Sequence, residues 1–204
     1  MRARTLLPSA LVFSFTQACA CGQVASEDEA RIAYLGIDQI VSKTLALGFA
    51  GFRAANSANI PTQSDDGDDS GSITVTGQVD QGSSDNKGMR LEVALDEYSD
   101  GTIDDPESEG DDQIAIVYAT AEDAPLVVVL DLRNFPDGTL EGSLSGVIGM
   151  SGNLEGDLEL IITLSGEIEE DGAGTGDTRR VEGSTNVTGT AESANGTFDI
   201  DTTL

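Results

Sequence analysis

The chain of 204 residues has no histidine and no tryptophan, and it has only two cysteines. Without histidine, the commonest general base is missing, and with it Ser-His-Asp and Cys-His arrangements and any His-ligated zinc or haem site. Aromatic residues make up only 4% of the chain. The core must therefore be built from Leu, Ile, Val and small residues. These absences predict a protein that is not an enzyme and has no resident cofactor of these kinds.

Positive charge is scarce as well. The chain has 10 Lys and Arg residues and 37 Asp and Glu residues, which gives a net charge of -27. Such a chain repels phosphate backbones and anionic membrane surfaces, so nucleic acid is excluded as a partner. Solubility alone can explain this charge, and cations or basic partners are its natural complements.

The N-terminal segment has the order of an export signal. Arg2 and Arg4 precede a mostly apolar stretch over residues 6–15, and small residues follow it. This stretch is about 10 residues long, whereas a membrane-spanning helix needs roughly 20. We expect residues 1–21 to be a signal peptide that is removed on export.

Both cysteines lie at the expected cleavage point, in the segment Ala18-Cys19-Ala20-Cys21-Gly22. This segment resembles the lipobox of bacterial lipoprotein precursors, in which a Cys is lipidated and becomes the new N-terminus. The resemblance covers only the first 22 or so residues. It implies that Cys19 or Cys21 carries a lipid that anchors the protein at the cell envelope, with the outer membrane as the expected location. The alternative is an ordinary A-x-A cleavage site, which would give a soluble secreted or periplasmic protein.

Helix is predicted over residues 27–55, as one long helix or as two, within a segment 22–55 that belongs to the main domain. Ser26 can cap its start, and Glu29 stands where a capping box needs it. Apolar residues recur with the helical period along this segment. Residues 56–71 hold the acidic run 65–69 and few apolar residues, so they predict a disordered linker.

From residue 72 to 204 the apolar residues alternate with polar ones, and turn-forming residues separate the runs. This pattern predicts a mainly β fold, a curved antiparallel meander or partly closed barrel of about eight strands packed on the N-terminal helix. Seven glycines share the parity of the apolar residues and are predicted to face the core, where glycine marks strong curvature. The alternative is that they reflect a loose, glycine-rich composition. They are Gly77, Gly142, Gly146, Gly156, Gly166, Gly183 and Gly189.

The segment 96–107 is the best candidate for a site. Its twelve residues resemble the calcium loop of EF-hand and dockerin-like proteins, which implies oxygen ligands spaced to surround one cation. The ligands implied are Asp96, Asp100, Thr102, Asp104 and Glu107. The alternative is an acidic hairpin loop that keeps one end of the sheet solvated.

These observations favour an exported lipoprotein, a structural or binding module of the cell envelope with no catalytic site. Its expected partner is the membrane, through the lipid, and the sequence does not identify a protein or ligand partner. Two alternatives stay open, a carrier of lipids or other apolar ligands and a calcium-binding surface protein. The first requires a cavity between helix and sheet, and the second requires that the loop over 96–107 closes around an ion.

Overall fold

A computed structural model describes residues 22–80, 82–104, 113–171 and 177–204. Within these residues the chain forms one helix and eleven strands, so the prediction of a mainly β fold with one N-terminal helix is confirmed. The elements are α1 (Glu27–Ala54), β1 (Gln63–Asp66), β2 (Ser70–Val79), β3 (Lys87–Ser99), β4 (Thr102–Asp104), β5 (Gln113–Ala119), β6 (Leu126–Arg133), β7 (Gly138–Gly152), β8 (Gly156–Glu170), β9 (Thr178–Arg180), β10 (Asn186–Ser193) and β11 (Gly196–Thr203).

The helix begins where the capping signal predicts it. The hydroxyl of Ser26 accepts a hydrogen bond from the N–H of Glu29 at 3.2 Å, and the carboxylate of Glu29 accepts one from the N–H of Ala25 at 2.7 Å. The second bond reaches one residue further back than a standard capping box. Three acids in the first turn face the positive end of the helix dipole.

The sheet is antiparallel throughout its named strand pairs. Eight strands follow one another in the order β1-β2-β3-β5-β7-β8-β10-β11, while β4, β6 and β9 lie off this path. β5 and β6 share one position between β3 and β7: β5 pairs with the far end of β7 and β6 with its beginning. The main path of the meander thus has eight strands, close to the number that the alternation predicts. One place in that order is filled by two short strands, β5 and β6, which residues 120–125 separate.

The sheet is partly ring-closed, and α1 lies on its inner side. Tyr118 on β5 donates a hydrogen bond from its hydroxyl to the carbonyl of Ala33 at 3.0 Å. Leu91 on β3 lies so close to Gly48 that no side chain would fit there without movement. A single core cluster of buried residues joins helix and sheet. Among the described residues, no helix combines the length and the hydropathy that crossing a bilayer requires.

Core-facing glycines accompany this curvature. Gly77 has φ +149° and Gly189 has φ +152°, a region that other residues rarely adopt. A Cβ at these positions would collide with the carbonyl oxygens of Arg90 and Ile161 on the neighbouring strands. Gly183 is the exception and the prediction for it was wrong: it lies exposed in a turn at φ +74°, because the chain leaves the sheet after β9.

The segment 56–71 differs from the disordered linker that its composition predicts. β1 pairs with β2 in register from Gln63 opposite Val75 to Asp66 opposite Ser72. Ile60, just before β1, is buried in the core. The acidic run is held because a lysine of α1 lies against it, a long-range contact that local charge density does not reveal.

Candidate functional site

The predicted calcium ligands are distributed over β3, the turn after it, and β4. Asp96 is exposed on β3, Asp100 is half-buried in the turn, and Thr102 and Asp104 are exposed on β4. Glu107 lies outside the described residues. In the part of the chain that the structure describes, no three or more Asp, Glu, Cys or His side chains form a group that could hold a metal ion. Calcium binding therefore stays a prediction of the sequence, without a completed ligand set.

Asp100 instead makes several hydrogen bonds within the protein. Its carboxylate accepts hydrogen bonds from the hydroxyl of Tyr98 at 2.5 Å, from Nζ of Lys43 at 3.3 Å and from the N–H of Asp68 at 3.2 Å. Burial raises the pKa of Tyr98, and the hydrogen bond to Asp100 raises it further. Tyr98 is thus a permanent donor to this carboxylate at neutral pH.

Lys43 of α1 stands at the centre of an acid cluster formed by Asp65, Asp68 and Asp100. Its Nζ lies 3.5 Å from Asp65 and 3.8 Å from Asp68, and it donates to the carbonyl of Asp66 at 2.9 Å. Burial by itself lowers the pKa of Lys43, but the neighbouring carboxylates outweigh it and the net shift is upward. The ammonium is a cation built into the chain at the point where the carboxylates converge. Sequence reasoning missed it because Lys43 and Asp100 are 57 residues apart.

A second cluster lies between α1 and β9, around a cleft of about 310 Å³ that we call the α1–β9 cleft. Arg180 donates two hydrogen bonds to the carboxylate of Asp38, at 2.8 and 2.6 Å, and another to the hydroxyl of Ser42. The side chains of the pair are only 11% and 15% exposed. The cleft is lined by Asp38, Ser42, Leu45, Ala46, Thr178, Arg179, Arg180, Val181, Glu182, Thr185 and Leu204.

Tyr34 lies near this ion pair, whose two charges both influence its hydroxyl. Its ring is fully buried, and its hydroxyl has no hydrogen-bond partner among the described residues. Burial raises the pKa of Tyr34, the charge of Asp38 raises it further, and Arg180 acts in the opposite direction. The phenol is therefore neutral beside the bidentate ion pair of Asp38 and Arg180.

Two threonines of the cleft share this lack of a partner. Thr178 and Thr185 are 3% and 1% exposed. The Oγ1 atom of neither has a hydrogen-bond partner among the described residues. Such groups are uncommon in folded proteins, because an unpaired buried hydroxyl loses its bonds to water without replacement.

The outer side of the sheet carries an uncharged area that we call the neutral face. Two rows of side chains, in register across four adjacent strands, contain no charged residue. Ile161 is the most exposed large apolar residue in the described part of the chain, at 64%, and carboxylates border the rows through Glu141, Glu159 and Glu192. The rows are Val127, Ser145, Ile161 and Thr190, and Val129, Ser143, Thr163 and Thr188.

The described chain begins already attached to the sheet. Gly22 bridges to Leu154 next to the β7–β8 turn and accepts a hydrogen bond from the N–H of Glu155 at 3.2 Å. Val24 is fully buried, and its carbonyl accepts a hydrogen bond from the hydroxyl of Ser193 at 2.6 Å. Cys19 and Cys21, the candidates for lipidation, lie outside the described residues.

No family model, curated protein or solved structure matches this chain. Four features of the described residues are candidates for a functional role: the acid cluster around Lys43, the α1–β9 cleft, the neutral face, and the attached segment 22–24. Of these, sequence reasoning identified only Asp100 in the acid cluster. Arg180 and Asp38 are 142 residues apart, and no local pattern indicates that they meet.

Proposed function

We propose that this chain is an exported lipoprotein whose mature part is a non-catalytic binding module of the bacterial cell envelope. A lipid on Cys19 or Cys21 anchors it, in the outer membrane. The observation that carries the proposal is the attachment of Gly22 to Leu154. Since the described residues are attached to the sheet from Gly22 onward, an anchor on Cys19 or Cys21 would hold the β7–β8 turn close to the membrane.

The neutral face is the proposed binding surface. Side chains at the centre of a sheet surface in so acidic a protein are expected to include carboxylates, yet these rows hold only Ser, Thr, Val and Ile. The acidic border selects, by charge complementarity, a protein partner with an uncharged centre and a basic rim. A second copy of the chain is disfavoured because the two acidic borders would repel each other.

The carrier alternative is not favoured by this geometry. A carrier needs a cavity between helix and sheet, but the inner side chains of α1 occupy that space. Ile37 and Phe49 are completely buried there, and Phe49 packs on Phe135 with ring centroids 5.5 Å apart. The helix therefore acts as the core of the sheet.

The anchor is tested in a bacterial host by metabolic labelling of the full chain with an alkyne-bearing fatty acid, followed by membrane fractionation. We expect label in the wild type, and loss of label and of membrane association in either Cys19→Ser or Cys21→Ser. A Ser83→Cys change in the double Cys→Ser background is the matched control, since Ser83 is exposed on the domain. It should stay unlabelled. An unlabelled, soluble wild-type protein would overturn the anchor and support the A-x-A alternative.

The neutral face is tested with a photoreactive amino acid placed at Ile161 in living cells. We expect one discrete protein adduct, which disappears when Val129→Asp and Val147→Asp add charge beside it. The control is the same probe at Thr139, which is exposed on β7 outside the rows. Equal cross-linking from both positions, or none from Ile161, would exclude the neutral face as the binding surface.

A further inference from the structure

β11 lies at one end of the strand order, and among the described residues it pairs with β10 alone. β1, β4 and β9 also have a single neighbour there, but they are four, three and three residues long, whereas β11 has eight. The edge of β1 is also partly covered, because Nζ of Lys43 donates a hydrogen bond to the carbonyl of Asp66 at 2.9 Å. In the described part of the chain, β11 is therefore the longest strand with one open side.

The open side of β11 carries unpaired backbone groups. Just beyond the strand, Thr185 and Leu204 exchange two backbone hydrogen bonds, both of 2.9 Å. Bonded and non-bonded pairs alternate along an antiparallel ladder, so the even-numbered residues of β11 bond to β10. The odd-numbered residues direct their N–H and C=O groups away from β10. These residues are Thr197, Asp199, Asp201 and Thr203.

Solvent reaches β11 from both faces of the sheet. The four odd-numbered residues are exposed on the outer face. On the inner face Phe198 and Thr202 are only partly buried, whereas Val187 and Ala191 on the neighbouring strand β10 are completely buried. This difference is expected where a strand covers the inner residues of β10 and none covers those of β11. A partner can therefore approach the unpaired backbone groups.

Two carboxylates determine which segment can pair with this edge. Asp199 and Asp201 lie on the outer face, opposite Thr190 and Thr188 of β10. A second copy of β11 would place like charges across the new strand pair, which is destabilising, whereas opposite charges at these positions are stabilising. The edge thus favours an extended segment with Lys or Arg at every second position.

We propose that β11 binds an extended basic segment of a partner protein by antiparallel strand addition. The backbone of the segment pairs with the free N–H and C=O groups, and its Lys or Arg side chains lie opposite Asp199 and Asp201. In this mode of binding the main-chain hydrogen bonds provide affinity and the alternate side chains provide specificity. The proposal concerns the edge of the sheet, so it holds whether or not the neutral face binds a partner.

Amide hydrogen exchange of the full chain, measured by NMR, tests whether the edge is open. We expect fast exchange at Asp199 and Asp201, whose N–H groups face outward, and slow exchange at Phe198 and Ile200, whose N–H groups bond to β10. Slow exchange at both Asp199 and Asp201 in the protein alone would mean that the edge is already occupied, and it would overturn the proposal.

Binding is tested with an eight-residue peptide in which Lys alternates with Thr, prepared in two N-methylated forms of equal charge. One form is methylated on the Thr nitrogens and the other on the Lys nitrogens. In antiparallel addition the residues opposite Asp199 and Asp201 bond to β11 through their own N–H groups, so only methylation of Lys blocks these bonds. We expect saturable amide shifts at Asp199 and Asp201 with the first form, and about tenfold weaker binding of the second. Any other order of affinities, or no binding of either form, would overturn the proposal.

A pair of variants then separates local charge from net charge. Asp199→Asn with Asp201→Asn keeps the shape of both side chains, and we expect it to bind the peptide methylated on Thr about fivefold more weakly. Glu155→Gln with Glu182→Gln is the matched control, since it removes the same charge from two exposed positions outside β11 and should bind like the wild type. Equal weakening in both variants, or undiminished binding by the first, would contradict the pairing of basic side chains with Asp199 and Asp201.

Discussion

Nζ of Lys43, on the helix, lies 3.3 Å from a carboxylate oxygen of Asp100, in the turn after β3. The side chains of both are largely buried, at 19% and 16% exposure. The ring of Tyr98 lies under the same ammonium, with 5.6 Å between Nζ and the ring centroid. This contact joins the helix to the acidic end of the sheet, where Lys43 also lies within 3.8 Å of Asp65 and Asp68.

Replacing Lys43 should destabilise the protein, because the carboxylates around it would then repel one another. In Lys43→Met the three carboxylates of the acid cluster lose their common cation, so we expect a loss of about 2 kcal/mol in the free energy of unfolding. The loss should shrink as salt is added, because salt screens the remaining like charges. Urea denaturation at two salt concentrations measures it.

The matched control is Arg31→Met, which breaks an exposed pair with Asp28 and should cost about 0.5 kcal/mol or less. Added salt should recover part of the stability of Lys43→Met, because it screens the carboxylates that the lysine no longer neutralises. If both variants lose equally at low salt, the cluster has no special electrostatic role.

Alkaline pH should unfold the protein through its tyrosines. Burial raises the pKa of Tyr34, Tyr98 and Tyr118 above the usual value of about 10. The folded state then holds these protons more tightly than the unfolded chain does. The stability they contribute is complete below pH of about 10 and falls as the pH rises above it.

The chain has three tyrosines and no tryptophan, so tyrosinate absorbance reports these groups directly. We expect no tyrosine titration near pH 10 in the native protein, and a cooperative rise that coincides with loss of circular dichroism. Independent titration of one or more tyrosines before unfolding would contradict their burial. Tyr98→Phe removes the bond to Asp100 and should leave the two other groups unchanged.

Glycine should be irreplaceable where the backbone is both strained and crowded. At Gly189, φ is +152° and a Cβ would collide with the carbonyl of Ile161. We expect Gly189→Ala to cost about 2 kcal/mol or more. Gly149→Ala in β7 is the control, because the nearest atom to its Cβ would be 3.5 Å away. Thermal denaturation compares them, and equal effects would mean that glycine is not needed for the bend.

The ion pair of the α1–β9 cleft should show strong coupling. Arg180→Leu or Asp38→Leu alone leaves a largely buried charge without its partner, so each should cost about 3 kcal/mol. The double variant should cost about 2 kcal/mol less than the sum of the two. The exposed pair of Arg179 and Glu169 is the control, with a coupling of about 0.5 kcal/mol or less. Additive losses at the buried pair would show that the two charges do not stabilise each other.

Local sequence patterns were sufficient for the helix and for the long strands of the sheet. The helix observed over Glu27–Ala54 follows from Ser26, Glu29 and an apolar period, all of which act within a few residues. Alternation placed Leu91 and Leu144 in strands with their side chains inward, because a strand turns successive side chains to opposite faces. The same parity rule failed at Gly183, where the chain had already left the sheet.

The sites were decided by tertiary structure. The alternating pattern does not say which strands meet, and it does not reveal that β1 pairs with β2 or that Lys43 lies against Asp65. The pairs Lys43–Asp100 and Asp38–Arg180 join the helix to distant segments of the sheet or its edge. The sequence by itself determined the periodicity, the helix start and the curvature-permitting glycines, since these depend on neighbouring residues. Only the partly ring-closed sheet around α1 brings together charges separated by 57 and 142 residues, because its curvature sets which faces of the helix and sheet meet.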